Sequence, residues 1–231
     1  MQEVILRNIE QDFRSNEAYK TLRTNIEFAG ADKKVIMLTS SAPNEGKSTV
    51  SLSLALSIAE GGKKVLFIDA DLRKSVLIGR HHIHGEIKGL SHFLSGRAEL
   101  KDVIMKTQQD GLYILFAGVV PPNPAELLGT RRLEALIEGA RKAYDYVIID
   151  APPLGSVIDG AIIARCCDAS ILVVAANTIS RKFAKSVKDQ LDKTGCPILG
   201  VVMNKVDLKQ NKYYGKYYGN YYGSYGENGK K

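Results

Sequence analysis

Residues able to handle phosphate cluster at three places in the chain. The first is the run from Thr39 to Thr49, Thr-Ser-Ser-Ala-Pro-Asn-Glu-Gly-Lys-Ser-Thr. Its end, Gly46-Lys47-Ser48, matches the close of the phosphate-loop signature G-x-x-x-x-G-K-[ST], with Ser41 in place of the first glycine. A loop of this kind, through Pro43, Asn44, Glu45 and Gly46 into a helix starting at Lys47, Ser48 and Thr49, wraps a nucleotide β-phosphate in backbone N–H groups and a helix N-terminus. Lys47 would bring a point charge to the β/γ oxygens, and the Ser48 hydroxyl would ligate Mg²⁺. The second place is a set of acids after apolar runs: Asp69 and Asp71 after 65–68, and Asp150 after 146–149. Asp150 stands like the Walker B acid of phosphate-loop proteins. Residues two apart on a strand share a face, so Asp69 and Asp71 are expected to enter one crevice together. Beside Mg²⁺ and a γ-phosphate, one or two of the three acids would hold the metal or its waters, and one could accept a proton from an incoming hydroxyl. The third place is a bank of hydroxyls. Seven of the eleven tyrosines (Tyr213, Tyr214, Tyr217, Tyr218, Tyr221, Tyr222 and Tyr225) fall in the last nineteen residues. Glycine follows nearly every pair, which argues against a helix or a core strand there.

The elements that position these groups follow from hydropathy. Residues 35–38, 65–68, 112–116, 146–149, 170–174 and 198–202 are short and near-continuously apolar, the pattern of parallel strands covered on both faces. Helical patterns occupy 17–28, 49–60, 131–143, 158–165 and 182–193, with stops at Gly61-Gly62 and Gly195. Asn123-Pro124-Ala125-Glu126 reads as a capping box opening a further helix. Strand–helix alternation predicts an α/β fold: a doubly wound, mostly parallel sheet with helices on both faces, of the phosphate-loop NTPase type, binding its ligand at the carboxyl ends of the strands. Residues 1–30 form an N-terminal helical segment, 31–208 the nucleotide-binding domain, and 209–231 a tail that reads as disordered from Gln210.

Composition narrows the partners. The net charge is +7, of which five lysines and one glutamate give the tail +4. The body keeps about +3, so no nucleic-acid surface is indicated, although a basic tail can lean on anionic lipid or an acidic partner. Cys166, Cys167 and Cys196 lack metal-ligand spacing and read as reduced core residues of a cytoplasmic protein. No apolar run approaches the roughly 18 residues of a membrane span, and the start does not read as a signal peptide. His81, His82 and His84 have no acid or cysteine at ligand spacing and read as a surface loop. Asn204, after the last strand, is expected near the adenine.

Taken together, 41–49 as Walker A, 65–73 as an extra Walker A′ motif, 148–150 as Walker B and the tyrosine cluster resemble the bacterial tyrosine kinase family, the kinases of capsular and exopolysaccharide production. The resemblance spans nearly the whole chain. Glu17, Lys20 and Arg23 resemble the family's E-x-x-R-x-x-R oligomerisation helix, with lysine at the middle arginine, which weakens the contact by losing the bidentate fork. It implies ATP-dependent autophosphorylation of the tail in trans, with Lys47 on the β/γ-phosphates and Ser48 on Mg²⁺. Asp69 would be the general base, with Asp71 and Asp150 organising the metal. It also implies a ring of subunits, a separate transmembrane activator that keeps the kinase at the inner face of the cell membrane, a tyrosine phosphatase, and further protein substrates. Two other readings differ in kind. A partition or division-site ATPase of the same fold usually has a second lysine where this chain has Ala42. A non-catalytic, nucleotide-gated adaptor would use the tyrosine tail only as an adhesive segment.

Overall fold

The computed structural model describes residues 2–7, 12–83 and 85–207. The tail tyrosines and His84 lie outside the described residues. The strands are β1 (Glu3–Val4), β2 (Val35–Ser40), β3 (Val65–Asp69), β4 (Ile104–Thr107), β5 (Leu112–Leu115), β6 (Tyr146–Asp150), β7 (Ala169–Ala175) and β8 (Ile198–Asn204). The helices are α1 (Phe13–Phe28), α2 (Lys47–Glu60), α3 (Leu77–Arg80), α4 (Leu90–Leu94), α5 (Leu100–Val103), α6 (Pro124–Leu128), α7 (Arg131–Ala143), α8 (Asp159–Ala164) and α9 (Arg181–Asp192). One sheet carries the order β1-β4-β5-β3-β6-β2-β7-β8. Every pairing is parallel except β4 with β5. All six expected strands and the five long helical patterns are present, and the sheet is mostly parallel as expected.

Alternation divides the apolar strands between two cores. Val35 and Met37 of β2, with Leu66 and Ile68 of β3, face the layer of α4 to α9. Ile36 and Leu38, with Val65 and Phe67, face α1 and α2. Since both faces are dry, the strands read as continuous apolar runs. α7 buries Leu133, Leu136, Ile137 and Ala140, a single stripe at helical spacing. α2 instead is buried nearly all round, because α1 covers its outer side. Arg23 of α1 donates to the Ser57 carbonyl in the last turn of α2 at 2.5 Å, a cation at a helix C-terminus.

Several local expectations fail. The Asn123 side chain makes no capping bond, so the box does not form, although Pro124 does open α6. Residues 72–111 hold short elements that the sequence did not signal. β4 follows α5 with no turn residue between them, and β1 has only two residues. His81 is 3% exposed, not on a surface loop; its Nδ1 bonds the Arg7 carbonyl and fixes the chain after β1 to α3.

Candidate active site

Five adjacent strands bring their carboxyl ends to one rim: Asp69 on β3, Asp150 on β6, the loop 41–46 after β2, Ala175 on β7 and Asn204 on β8. Asp69 and Asp150 are direct register partners, both on the α2 side of the sheet. Gly46 precedes α2 with φ +88°, and a Cβ there would stand 2.2 Å from Asn204 Nδ2, so glycine is required on both counts. A Cβ on Gly155, in the turn after β6, would meet the Ser41 carbonyl at 2.1 Å. That close approach packs the turn under the phosphate loop, and Thr39 Oγ1 reinforces it by donating to the Pro152 carbonyl at 2.8 Å.

Lys47 lies at the centre, 8% exposed. Its Nζ is 3.1 Å from Asp71 Oδ2, 3.5 Å from Asp150 Oδ2 and 3.3 Å from Ser48 Oγ. Burial alone would lower the pKa of this ammonium, but the charges of Asp150 and Asp71 outweigh it and hold the pKa above its ordinary value. The expectation that Asp69 and Asp71 share a strand face is wrong in detail, because β3 ends at Asp69. Asp71 reaches the site through a turn instead. Its Oδ1 accepts from the N–H groups of Arg73 and Lys74, which leaves Oδ2 aimed at Lys47. Asp69 accepts from the Asp71 N–H at 3.2 Å and from the Ser75 hydroxyl. Burial, and then the neighbouring Asp150 charge, push the Asp69 carboxyl up to about 7. Burial also raises Asp150, against the pull of Lys47.

The cluster suits a divalent cation of a particular kind. No ready-made group of three metal ligands exists among the described residues. Mg²⁺ does not need one, since it is commonly held by one or two carboxylates, waters and substrate phosphates. Asp150 Oδ1 is buried with no hydrogen-bond partner in the described structure, beside the Ser48 hydroxyl at the helix start. An unpartnered buried carboxylate oxygen next to a serine fits a hydrated Mg²⁺.

Other expected residues stand elsewhere. Asn204 donates Nδ2 to the Glu45 carbonyl at 2.9 Å. It therefore meets the phosphate loop. Glu17 and Lys20 pair with each other at 2.8 Å on the exposed side of α1, while Arg23 is committed to α2. Two contacts escaped sequence reasoning. Arg80 of α3 donates to Thr49 Oγ1 at 2.7 Å, across the first turn of α2. Arg73 forms a two-pronged pair with Asp159, Nε–Oδ2 2.7 Å and Nη2–Oδ1 2.9 Å, which ties the turn bearing Asp71 to the start of α8. The one signal for that pair was an acid inside the apolar run 157–164.

The Arg73–Asp159 pair carries an asymmetric prediction. Asp159 is fully buried, whereas the Arg73 side chain is 39% exposed. Arg73→Ala should cost about 3 kcal/mol by stranding a buried charge, and Asp159→Ala only about 1 kcal/mol because arginine can rehydrate. Urea midpoints of the two variants check the order; equal losses would show that burial of Asp159 does not govern the cost.

A family model described as an AAA domain matches residues 33–194. The chain is 43% identical over 205 residues to the tyrosine-protein kinase CpsD of Streptococcus agalactiae serotype III (strain NEM316), covering 89% of this chain and 88% of that protein. Among solved structures, the kinase domain of Escherichia coli tyrosine kinase ETK superposes with TM-score 0.77 at 36% identity, over 83% of this chain and 77% of that one. The septum site-determining protein MinD of Pyrococcus horikoshii OT3, complexed with Mg-ADP, gives TM-score 0.63 at 28% identity, over 74% of this chain and 69% of that one. Similarity to the kinases is thus closer and more extensive than similarity to this division-site protein.

Proposed function

The chain belongs to the bacterial tyrosine-protein kinase family, and we propose that it transfers the γ-phosphoryl group of ATP to tyrosine hydroxyls of its own C-terminal segment. The observation that carries this reading is the buried cluster of Lys47, Asp69, Asp71 and Asp150 at the rim of the phosphate loop. Lys47 moves from Asp71 and Asp150 to the β/γ oxygens when nucleotide enters. Asp69, poised near neutrality by its surroundings, takes the proton of the attacking hydroxyl. Asp150, Asp71 and Ser48 would hold Mg²⁺ and its waters, and the ion would supply positive charge against the phosphates. Backbone groups of the loop from Pro43 to Thr49 orient the phosphates in line with the acceptor.

The acceptors are Tyr213, Tyr214, Tyr217, Tyr218, Tyr221, Tyr222 and Tyr225, received in trans from a neighbouring subunit of a ring that uses the helix bearing Glu17, Lys20 and Arg23. A tail of 23 residues spans ~75 Å when extended, enough for a cis or a trans site. The wider role is control of capsular or exopolysaccharide synthesis at the membrane through a transmembrane activator, with a phosphatase resetting the tail. No helix among the described residues is long and apolar enough to cross a bilayer.

Intact mass of the purified chain after incubation with Mg-ATP tests the function. Gains of one phosphate each, absent when the seven tail tyrosines are phenylalanine, are expected; ATP hydrolysis without mass gain would indicate a division-type ATPase instead. A second measurement concerns assembly. Each phosphotyrosine adds about −1.5 to −2, so full modification takes the tail from +4 to about −7 to −10. Tails so charged repel one another and the three site carboxylates, and the oligomer is expected to fall apart. Light scattering at low salt before and after modification reads the mass; an unchanged mass would sink the charge-switch idea.

A further inference from the structure

The phosphate loop is closed from within by its own acidic side chain. Glu45 is 2% exposed; it forms no ion pair among the described residues and instead turns into the loop. Its Oε2 accepts the N–H groups of Ser41 at 2.7 Å and Ala42 at 2.8 Å, the two residues that leave β2. Its Oε1 accepts the N–H of Ala175, the last residue of β7, at 3.1 Å. The Glu45 carbonyl takes Asn204 Nδ2 at 2.9 Å, and Ala176 N–H donates to the Asn204 carbonyl at 2.8 Å. Next to it, Lys205 Nζ bonds the Asn44 carbonyl at 2.7 Å. These bonds make a ring that runs from the loop to β7, from β7 to β8, and from β8 back to the loop.

From this ring we infer that Glu45 is a positioning residue for the phosphate-binding loop, acting through its carboxylate and together with Asn204. Successive backbone N–H donors in such a loop form a concavity that an anion can occupy. Glu45 supplies an anion to the first two donors only. The N–H groups that follow, from Asn44 to the start of α2, take no part in these bonds to the carboxylate. Asn44 and Gly46 sit at φ 65° and 88°, a left-handed pair of kinks around Glu45 that the ring holds in place. The ring also fills the place of the missing first glycine. Ser41 is fully buried, and its N–H is fixed by Glu45 rather than by approach to a phosphate. ATP therefore meets a loop already shaped, and less of its binding free energy goes into ordering the loop.

This inference rests on the reading of the loop as an ATP site, but its primary test needs no nucleotide. Amide hydrogen exchange of the full-length, nucleotide-free protein should show slow exchange at Ser41, Ala42 and Ala175. All three should lose protection together in Glu45→Ala. In Glu45→Gln the carbonyl oxygen can still accept from Ser41 and Ala42, while the amide faces the Ala175 N–H donor to donor. Only Ala175 is then expected to lose protection. With Mg-ATP, Glu45→Ala should raise the KM for ATP roughly tenfold or more, the scale of unpairing one or two buried N–H groups. At saturating ATP, where bound phosphate helps to reorder the loop, kcat should fall by a smaller factor than KM rises. Asn204→Ala should produce a similar rise, and the double variant little more than either alone, since both open one ring. Wild-type protection at the three amides in Glu45→Ala, or a loss confined to kcat at unchanged KM, would overturn the inference. Failure of the wild-type protein to bind Mg-ATP would overturn the ATP-site reading instead, leaving the exchange result to stand by itself.

Discussion

Lys47→Met is expected to abolish phosphate gain in an intact-mass assay, with the transfer rate down by roughly 10²–10³-fold or more, the scale of removing one preorganised charge from a transition state. The substitution removes a buried cation lying among three buried carboxylates. Nζ sits 3.1 Å from Asp71 and 3.5 Å from Asp150, and Asp69 also feels its charge. Methionine matches the length of the stem and fills the space, so the fold should survive. The acids are then left to repel one another with nothing between them. A second result follows that a bystander lysine would not give: added Mg²⁺, without nucleotide, should raise the thermal midpoint of Lys47→Met more than that of wild type. In the variant the divalent ion supplies the missing positive charge and a partner for Asp150 Oδ1. A variant that gains phosphate at the wild-type rate would remove Lys47 from the site.

The contrast between Asp71 and Asp159 shows how far the sequence carries such arguments. Asp69 and Asp150 were legible because each ends an apolar strand, and strand ends in a doubly wound sheet form the ligand crevice. Register then makes them neighbours, which no pattern in the chain could show, because pairing of β3 with β6 joins segments some eighty residues apart. Asp71 was placed correctly for a faulty reason. A strand face was expected, but a turn closed on its own Oδ1 delivers the other oxygen. Asp159 and Glu45 were opaque in a different way. Each is a single acid whose meaning depends on donors far along the chain, Arg73 for one and Ala175 for the other. The segment 72–111 gives no signal in the sequence because its elements are four or five residues long, too short for any period to register. Asn204 is legible as a rim residue because it ends an apolar strand, whereas its bond to the Glu45 carbonyl depends on a loop about 160 residues away and leaves no mark in the sequence.

Asp69→Asn is expected to lower phosphoryl transfer by about 10²–10⁴-fold while making the protein more stable at alkaline pH. Both effects come from one pKa. Burial and the Asp150 charge hold the Asp69 carboxyl near 7, well above the ordinary aspartate value. As the raised member of a folded–unfolded pair, it contributes stability that is fully present below the unfolded pKa of about 4 and is lost as pH rises through about 7. Wild type should therefore become less stable between those limits, and the asparagine variant, which has no charge to bury, should not. Activity runs the other way. A general base works only when ionised, so kcat/KM of wild type should climb about tenfold per pH unit below 7 and level off above it. The variant should lack that ascending limb. Asparagine keeps an oxygen for the Ser75 hydroxyl, so the side chain has a reason to stay in place. The decisive pairing is urea stability and transfer rate, measured for both proteins from pH 5 to pH 8.5. A variant that loses activity and stability together would make Asp69 a structural acid. One that gains stability and loses the rate would mark a carboxylate held at a cost to the fold because the transfer requires it.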